Sequence, residues 1–162
     1  MVQQAQRGGW VIVLTFAMAF LLTVYPLPVS LRWARPEWVT LVLIYWVLAL
    51  PQRIGIMASF CVGLLLDVAE GSLLGQNALS LSVVAYLTLV LYQRIRQFNL
   101  LQQVVVVFAM VGINQLVSQW VQNLTGVGAV SLFFLLPAML SALLWPAVMT
   151  LLRHLRRQYG VS

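Results

Sequence analysis

Residues 97–152 read QFNLLQQVVVVFAMVGINQLVSQWVQNLTGVGAVSLFFLLPAMLSALLWPAVMTLL, 56 positions without a single charged side chain. One helical membrane crossing takes about 20 residues, so this stretch is too long for one helix and is read as two. The break falls at Asn123-Leu124-Thr125-Gly126-Val127-Gly128, where turn formers interrupt the apolar run. Two spans are therefore expected, over 100–122 and 132–152. The same punctuation by charges, prolines and glycines organises the rest of the chain. A first span, 10–25, stops at Pro26 and Pro28. A second, 38–50, is bracketed by Pro36 and Pro51, positions that proline tolerates at helix starts and just past helix ends. A third, 54–67, has an uncharged run short for a hydrocarbon core of about 30 Å. A fourth, 78–92, is closed by Arg94 and Arg96.

Composition agrees. The chain has 162 residues, 62% hydrophobic and 7% charged, with a mean hydropathy of +0.97. A soluble domain is near half apolar and about a quarter charged. A water-soluble enzyme and an intrinsically disordered chain are both excluded. The expectation is an all-α integral membrane protein, a single polytopic domain over 1–162. The first apolar run lacks a small-x-small cleavage site and is read as a retained span rather than a signal peptide. Cys61 lies within an apolar run and is expected to pack inertly; one cysteine permits no internal disulfide.

Arginine distribution sets the orientation. The net charge is +6, from nine arginines, no lysine and three acids. With both termini in the cytoplasm, Arg7, Arg53, Arg94, Arg96, Arg153, Arg156 and Arg157 lie inside. Arg32, Arg35 and the three acids Glu37, Asp67 and Glu70 lie outside. That satisfies the positive-inside rule, whereas five spans would export the basic tail. The arginines are spread between spans and set topology, so no nucleic-acid partner is expected. The tail arginines are also placed to meet anionic lipid headgroups.

Chemistry-bearing patterns are sparse. There is no nucleophile elbow, no His-Glu-x-x-His and no metal cluster. The lone His154 sits among tail arginines. No catalytic residue, cofactor or metal is expected. Asp67 and Glu70 are three apart and could share a helix face, but Gly71 follows at once, and capping of span 4 or an exposed loop is the simpler reading. On span 5, Gln115, Ser118, Gln119 and Gln122 recur at helical spacing, flanked by Asn114 and Asn123. Such a stripe avoids lipid and faces neighbouring helices, a partner's helix or a wet cavity. Ser59-x-x-x-Gly63 and Ala138-x-x-x-Ala142 offer close helix approach.

Several stretches together resemble a known family: Arg35-Pro36-Glu37-Trp38; Tyr45-Trp46-x-Leu48-Ala49-Leu50-Pro51-x-Arg53; Leu66-Asp67-x-x-x-Gly71-x-x-x-Gly75-x-x-Ala78-Leu79; and Ala85-Tyr86-Leu87. With Trp145-Pro146 and the basic tail, they resemble the rod-shape-determining MreD family in its gammaproteobacterial form. The resemblance implies a six-helix fold similar to the substrate-binding S-components of energy-coupling-factor transporters. It implies a non-enzymatic subunit of the bacterial inner membrane that binds MreC directly. MreB, RodZ, RodA and a class B penicillin-binding transpeptidase are then partners in the complex that builds lateral-wall peptidoglycan.

Asp67, Gly71 and Gly75 are read as an outer-leaflet notch for a partner's membrane helix. Gln115, Ser118, Gln119 and Gln122 are the alternative dock. Two other classes stay open. A small-molecule-binding transporter subunit would line a pocket with aromatics and the span-5 glutamines. An enzyme acting on lipid carriers would bring Asp67 and Glu70 together with Arg32 or Arg35 on a phosphate.

Overall fold

A computed structural model of the chain describes residues 9–25, 37–51, 54–71, 74–124, 126 and 135–159. Arg7, Pro26, Pro28, Arg32, Arg35, Pro36, Arg53, Gly128 and the expected start of span 6 at 132 lie outside the described residues.

Six helices follow one another: α1 (Gly9–Val24), α2 (Trp38–Ala49), α3 (Ile56–Glu70), α4 (Gln76–Gln97), α5 (Leu100–Leu124) and α6 (Leu135–Tyr159). Each lies where one span is expected, but α4 and α6 run on past the arginines taken as their limits. Arginine stems can lie along apolar surface while the head reaches water, and a cation at a helix C-terminus is favoured by the helix dipole. Gln76–Gln97, Leu100–Leu124 and Leu136–Tyr159 are long and apolar enough to cross a membrane, by length and composition. The helices fit a membrane protein.

The shortest helix is the centre of the bundle. With twelve residues, α2 is about 18 Å long. Every residue of it except Trp38 is buried, and it packs on α1, α4, α5 and α6. A helix apolar all round is a core helix, and the sequence WVTLVLIYWVLA is one. Trp46 is completely enclosed. Its indole N–H donates to Thr15 Oγ1 on α1 at 2.9 Å, and that hydroxyl donates to the Ile12 carbonyl. Burying a tryptophan this deep requires such a partner.

Both ends of α2 are satisfied by other helices. Pro51 has no N–H to continue the helix. Arg96 of α4 supplies donors instead: its Nε bonds the Leu48 carbonyl at 2.8 Å and its Nη2 the Ala49 carbonyl at 2.9 Å. At the other end the Glu37 backbone N–H donates to Ser141 Oγ of α6 at 2.8 Å.

α3 lies against α4, and its buried residues Ser59, Gly63, Leu66 and Asp67 form one stripe. A Cβ on Gly63 would stand 2.3 Å from the Ala78 Cα, so only glycine permits this approach. Ala138 and Ala142 are likewise buried on α6. Both small-residue pairs are thus used within the chain. Cys61 corrects an expectation. It is exposed, because it lies two residues from both Ser59 and Gly63 and so points away from the stripe they share.

The two ends of the bundle differ in charge. Arg94 and Arg96 lie in the last turn of α4, Arg156 and Arg157 in the last turn of α6, and Arg153 about one turn before them. Trp10 of α1 meets Tyr159 at this basic end, ring centroids 4.9 Å apart. Glu37, Asp67 and Glu70 lie at the opposite, acidic end, where α2 and α4 begin and α3 ends.

Candidate functional site

At the acidic end the α3–α4 turn is held by one carboxylate. Asp67 Oδ2 accepts the Gly75 N–H at 2.8 Å and, at 3.5 Å, the Ala78 N–H; Oδ1 accepts the Asn77 N–H at 2.9 Å. A helix start leaves its first N–H groups without partners. Here Gly75 occupies the cap position without a side chain, and Asp67 on the preceding helix takes over the capping role. The negative charge also suits the N-terminal end of the α4 dipole. Asp67 is fully buried. Gly71 (φ 69°) and Gly75 (φ 98°) both occupy the left-handed region that glycine adopts without strain, and a Cβ on either would meet open space. Glu70 is exposed and accepts a hydrogen bond from Asn77 Nδ2 at 3.1 Å. Asp67 and Glu70 therefore meet on Asn77: the buried Asp67 accepts its backbone N–H and the exposed Glu70 its side-chain amide. Of the three residues read as a notch, Gly71 is exposed, Gly75 half-buried and Asp67 buried.

Beside this turn runs an open apolar groove of about 550 Å³ between α1 and α3, lined by Ala17, Phe20, Leu21, Val24, Leu65 and Ala69.

A second polar group gathers where α2 begins. Glu37 Oε2 accepts the Thr40 hydroxyl at 3.2 Å and Asn114 Nδ2 at 3.4 Å, and Oε1 accepts Gln115 Nε2. Asn114 Nδ2 also reaches Thr40 Oγ1 at 3.3 Å. Asn114 is 3% exposed, and its Oδ1 has no hydrogen-bond partner. Asn114 is ten residues before the end of α5 and Ser141 six after the start of α6. Glu37 therefore lies about 9–15 Å along the bundle from those helix ends, and α2 begins in a recess. Ser118, Gln119 and Gln122 continue from Gln115 along one face of α5, half-buried, toward the rim of that recess.

The sequence-derived site residues thus fall into two groups. Asp67, Gly71 and Gly75 meet in one turn. Gln115 belongs to the Glu37 cluster with Ser118, Gln119 and Gln122 above it. Sequence reading missed Glu37 as the centre of the second group and missed Thr40 and Ser141 entirely. The available signal was a carboxylate placed directly before an all-apolar helix, together with Asn114 adjoining Gln115.

The family model for the rod shape-determining protein MreD matches residues 4–155. The chain belongs to the MreD family. The rod shape-determining protein MreD of Haemophilus influenzae is 37% identical over 150 residues, which cover 92% of this chain and 93% of that relative. No solved structure matches the chain. Membership in the MreD family assigns the chain a role in determining cell shape.

Proposed function

We propose that this chain is a non-enzymatic scaffold of the bacterial inner membrane, with six spans and both termini in the cytoplasm, in the complex that elongates rod-shaped cells. Its direct partner is MreC. MreB, RodZ, RodA and a class B penicillin-binding transpeptidase join through the assembled complex, which inserts lateral-wall peptidoglycan. The observation that carries the reading is the family match across nearly the whole chain. The geometry supports it: Asp67, Glu37 and Glu70 each accept hydrogen bonds that fasten helices together. The separation of basic from acidic ends supports the orientation. The likeness to energy-coupling-factor S-components rests on the sequence resemblance and belongs to the same proposal.

The site offered to MreC's membrane helix is the α1–α3 groove and the Gly71–Gly75 turn beside it. In hydrocarbon, helices associate by close packing against small residues, and Ala17 and Ala69 line this groove. The test is affinity purification from mildly solubilised native membranes with mass spectrometry of what remains bound. A stoichiometric MreC-like protein is expected. Ala69→Trp should reduce its recovery without reducing membrane insertion, while Val90→Trp on the exposed face of α4 should not. Recovery of an ATPase-coupling module or a tightly held small molecule in place of MreC overturns the scaffold reading in favour of a transporter subunit.

A further inference from the structure

The basic end contains a cleft to which the shape-determining role assigns nothing. It occupies about 110 Å³ between α2, α4, α5 and α6, and Arg96, Arg153 and Arg156 all line it. Its walls are held in place. Gln103 Nε2 bonds the Ile95 and Phe98 carbonyls at 3.2 and 3.4 Å, and Gln103 Oε1 accepts the Trp145 indole N–H at 3.4 Å. Arg96 uses two of its N–H groups on the end of α2 and stacks over Tyr92 at 5.6 Å. Three of its five donors remain. Tyr45 lines the same cleft as Arg156. None of these arginines has a carboxylate partner among the described residues, and all three acidic side chains of the protein lie at the other end of the bundle.

Three guanidinium groups converging on one small cleft, without a counter-charge, call for an anion. Guanidinium forks match phosphate oxygens in geometry as well as charge. The cleft opens between helices at the end of the bundle, beside the apolar stems of Leu48 and Met149. That is where headgroups meet a membrane protein, and basic pockets between helices at this level suit them. We infer that this cleft holds the phosphate of an anionic lipid headgroup.

The test uses the full chain in a neutral detergent, where no charged membrane surface contributes. Binding of phosphatidylglycerol and of phosphatidylcholine is measured by native mass spectrometry, with inorganic phosphate as a separate probe. The double variant Arg153→Gln/Arg156→Gln spares Arg96, which supports α2. Arg94→Gln/Arg157→Gln removes the same charge from the same end but outside the cleft. Wild type and the outer variant should retain phosphatidylglycerol over phosphatidylcholine, and the cleft variant should bind about tenfold more weakly or worse, the loss of one or more charge-assisted hydrogen bonds. Arg153→Gln alone, an exposed position, gives the same direction if the double variant folds poorly. Equal weakening in the cleft and outer variants overturns the site in favour of diffuse charge. Equal protection against heat by inorganic phosphate overturns the lipid in favour of a soluble phosphate. Retention by all variants overturns the inference altogether.

Discussion

Asp67 closes α4 from a position eight residues before the cap it replaces. Removing it leaves backbone N–H groups of a buried helix start without partners. Asp67→Ala should cost about 1.5–3 kcal/mol, the usual worth of hydrogen bonds to a charged group. Asp67→Asn keeps one acceptor and should fall between the two in thermal midpoint in detergent. Gly63→Leu should be worse than either, because its side chain starts where Ala78 backbone already stands. Gly71→Ala should cost only about 1–2 kcal/mol, from the left-handed conformation rather than from any clash. Much of this was readable beforehand. The glycines and the carboxylate stand in one turn-forming stretch, and capping was the simplest use of Asp67. The direction each residue faces was not readable. Helical spacing puts Ser59, Gly63 and Asp67 on one stripe, but only the packing of α4 makes that stripe the covered one and leaves Cys61 exposed.

Among the elements, α2 is held by its neighbours more than by itself. Arg96 closes its last carbonyls and Ser141 takes its first N–H. Arg96→Gln should therefore loosen the last turn of α2 while leaving its first turn protected, and Ser141→Ala should do the reverse. Hydrogen exchange resolved along α2 checks both. Gln115→Leu should destabilise the protein by about 1–3 kcal/mol, because it withdraws a donor from a partly buried carboxylate. The existence of six helices was legible from charge and proline punctuation. The rank of α2 was not. WVTLVLIYWVLA has no polar face, so its sequence gives no direction in which to look for neighbours, and tertiary contacts alone place it at the core. Glu37 was missed for a related reason: its partners lie 77 and 78 residues away on α5.

For the whole molecule, the separation of charge makes a topological statement that can be checked. In the proposed orientation, a cysteine placed at Ser162 in a Cys61→Ser background should react with a membrane-impermeant maleimide only after the inner membrane is permeabilised. One placed at Leu124, at the exposed acidic end of α5, should react once the outer membrane is permeabilised, with the inner membrane intact. Labelling of both under the same condition would contradict six crossings. Family membership was legible from motifs spread over the chain, and several of their residues do structural work: Trp46 buried against α1, Asp67 capping α4, Trp145 bonded to Gln103. The basic cleft was not legible as a cleft. Arg96 and Arg156 are 60 positions apart, and only the packing of α4 and α6 on α2, both ending at the same end of the bundle, places them together.

The enclosure of α2 also bears on how the protein is made. At about 18 Å it is too short to settle alone in a hydrocarbon layer of about 30 Å. Three of the four helices that shelter it, α4, α5 and α6, emerge from the ribosome later than α2 does. Its final seat does not exist until the last of them has been synthesised. Nascent chains ending after Gln97 should therefore be recognised as incomplete and degraded by membrane proteases, although they already carry the resemblance motifs up to Leu87. Synthesis of α6 is then the step that commits the newborn chain to its mature form.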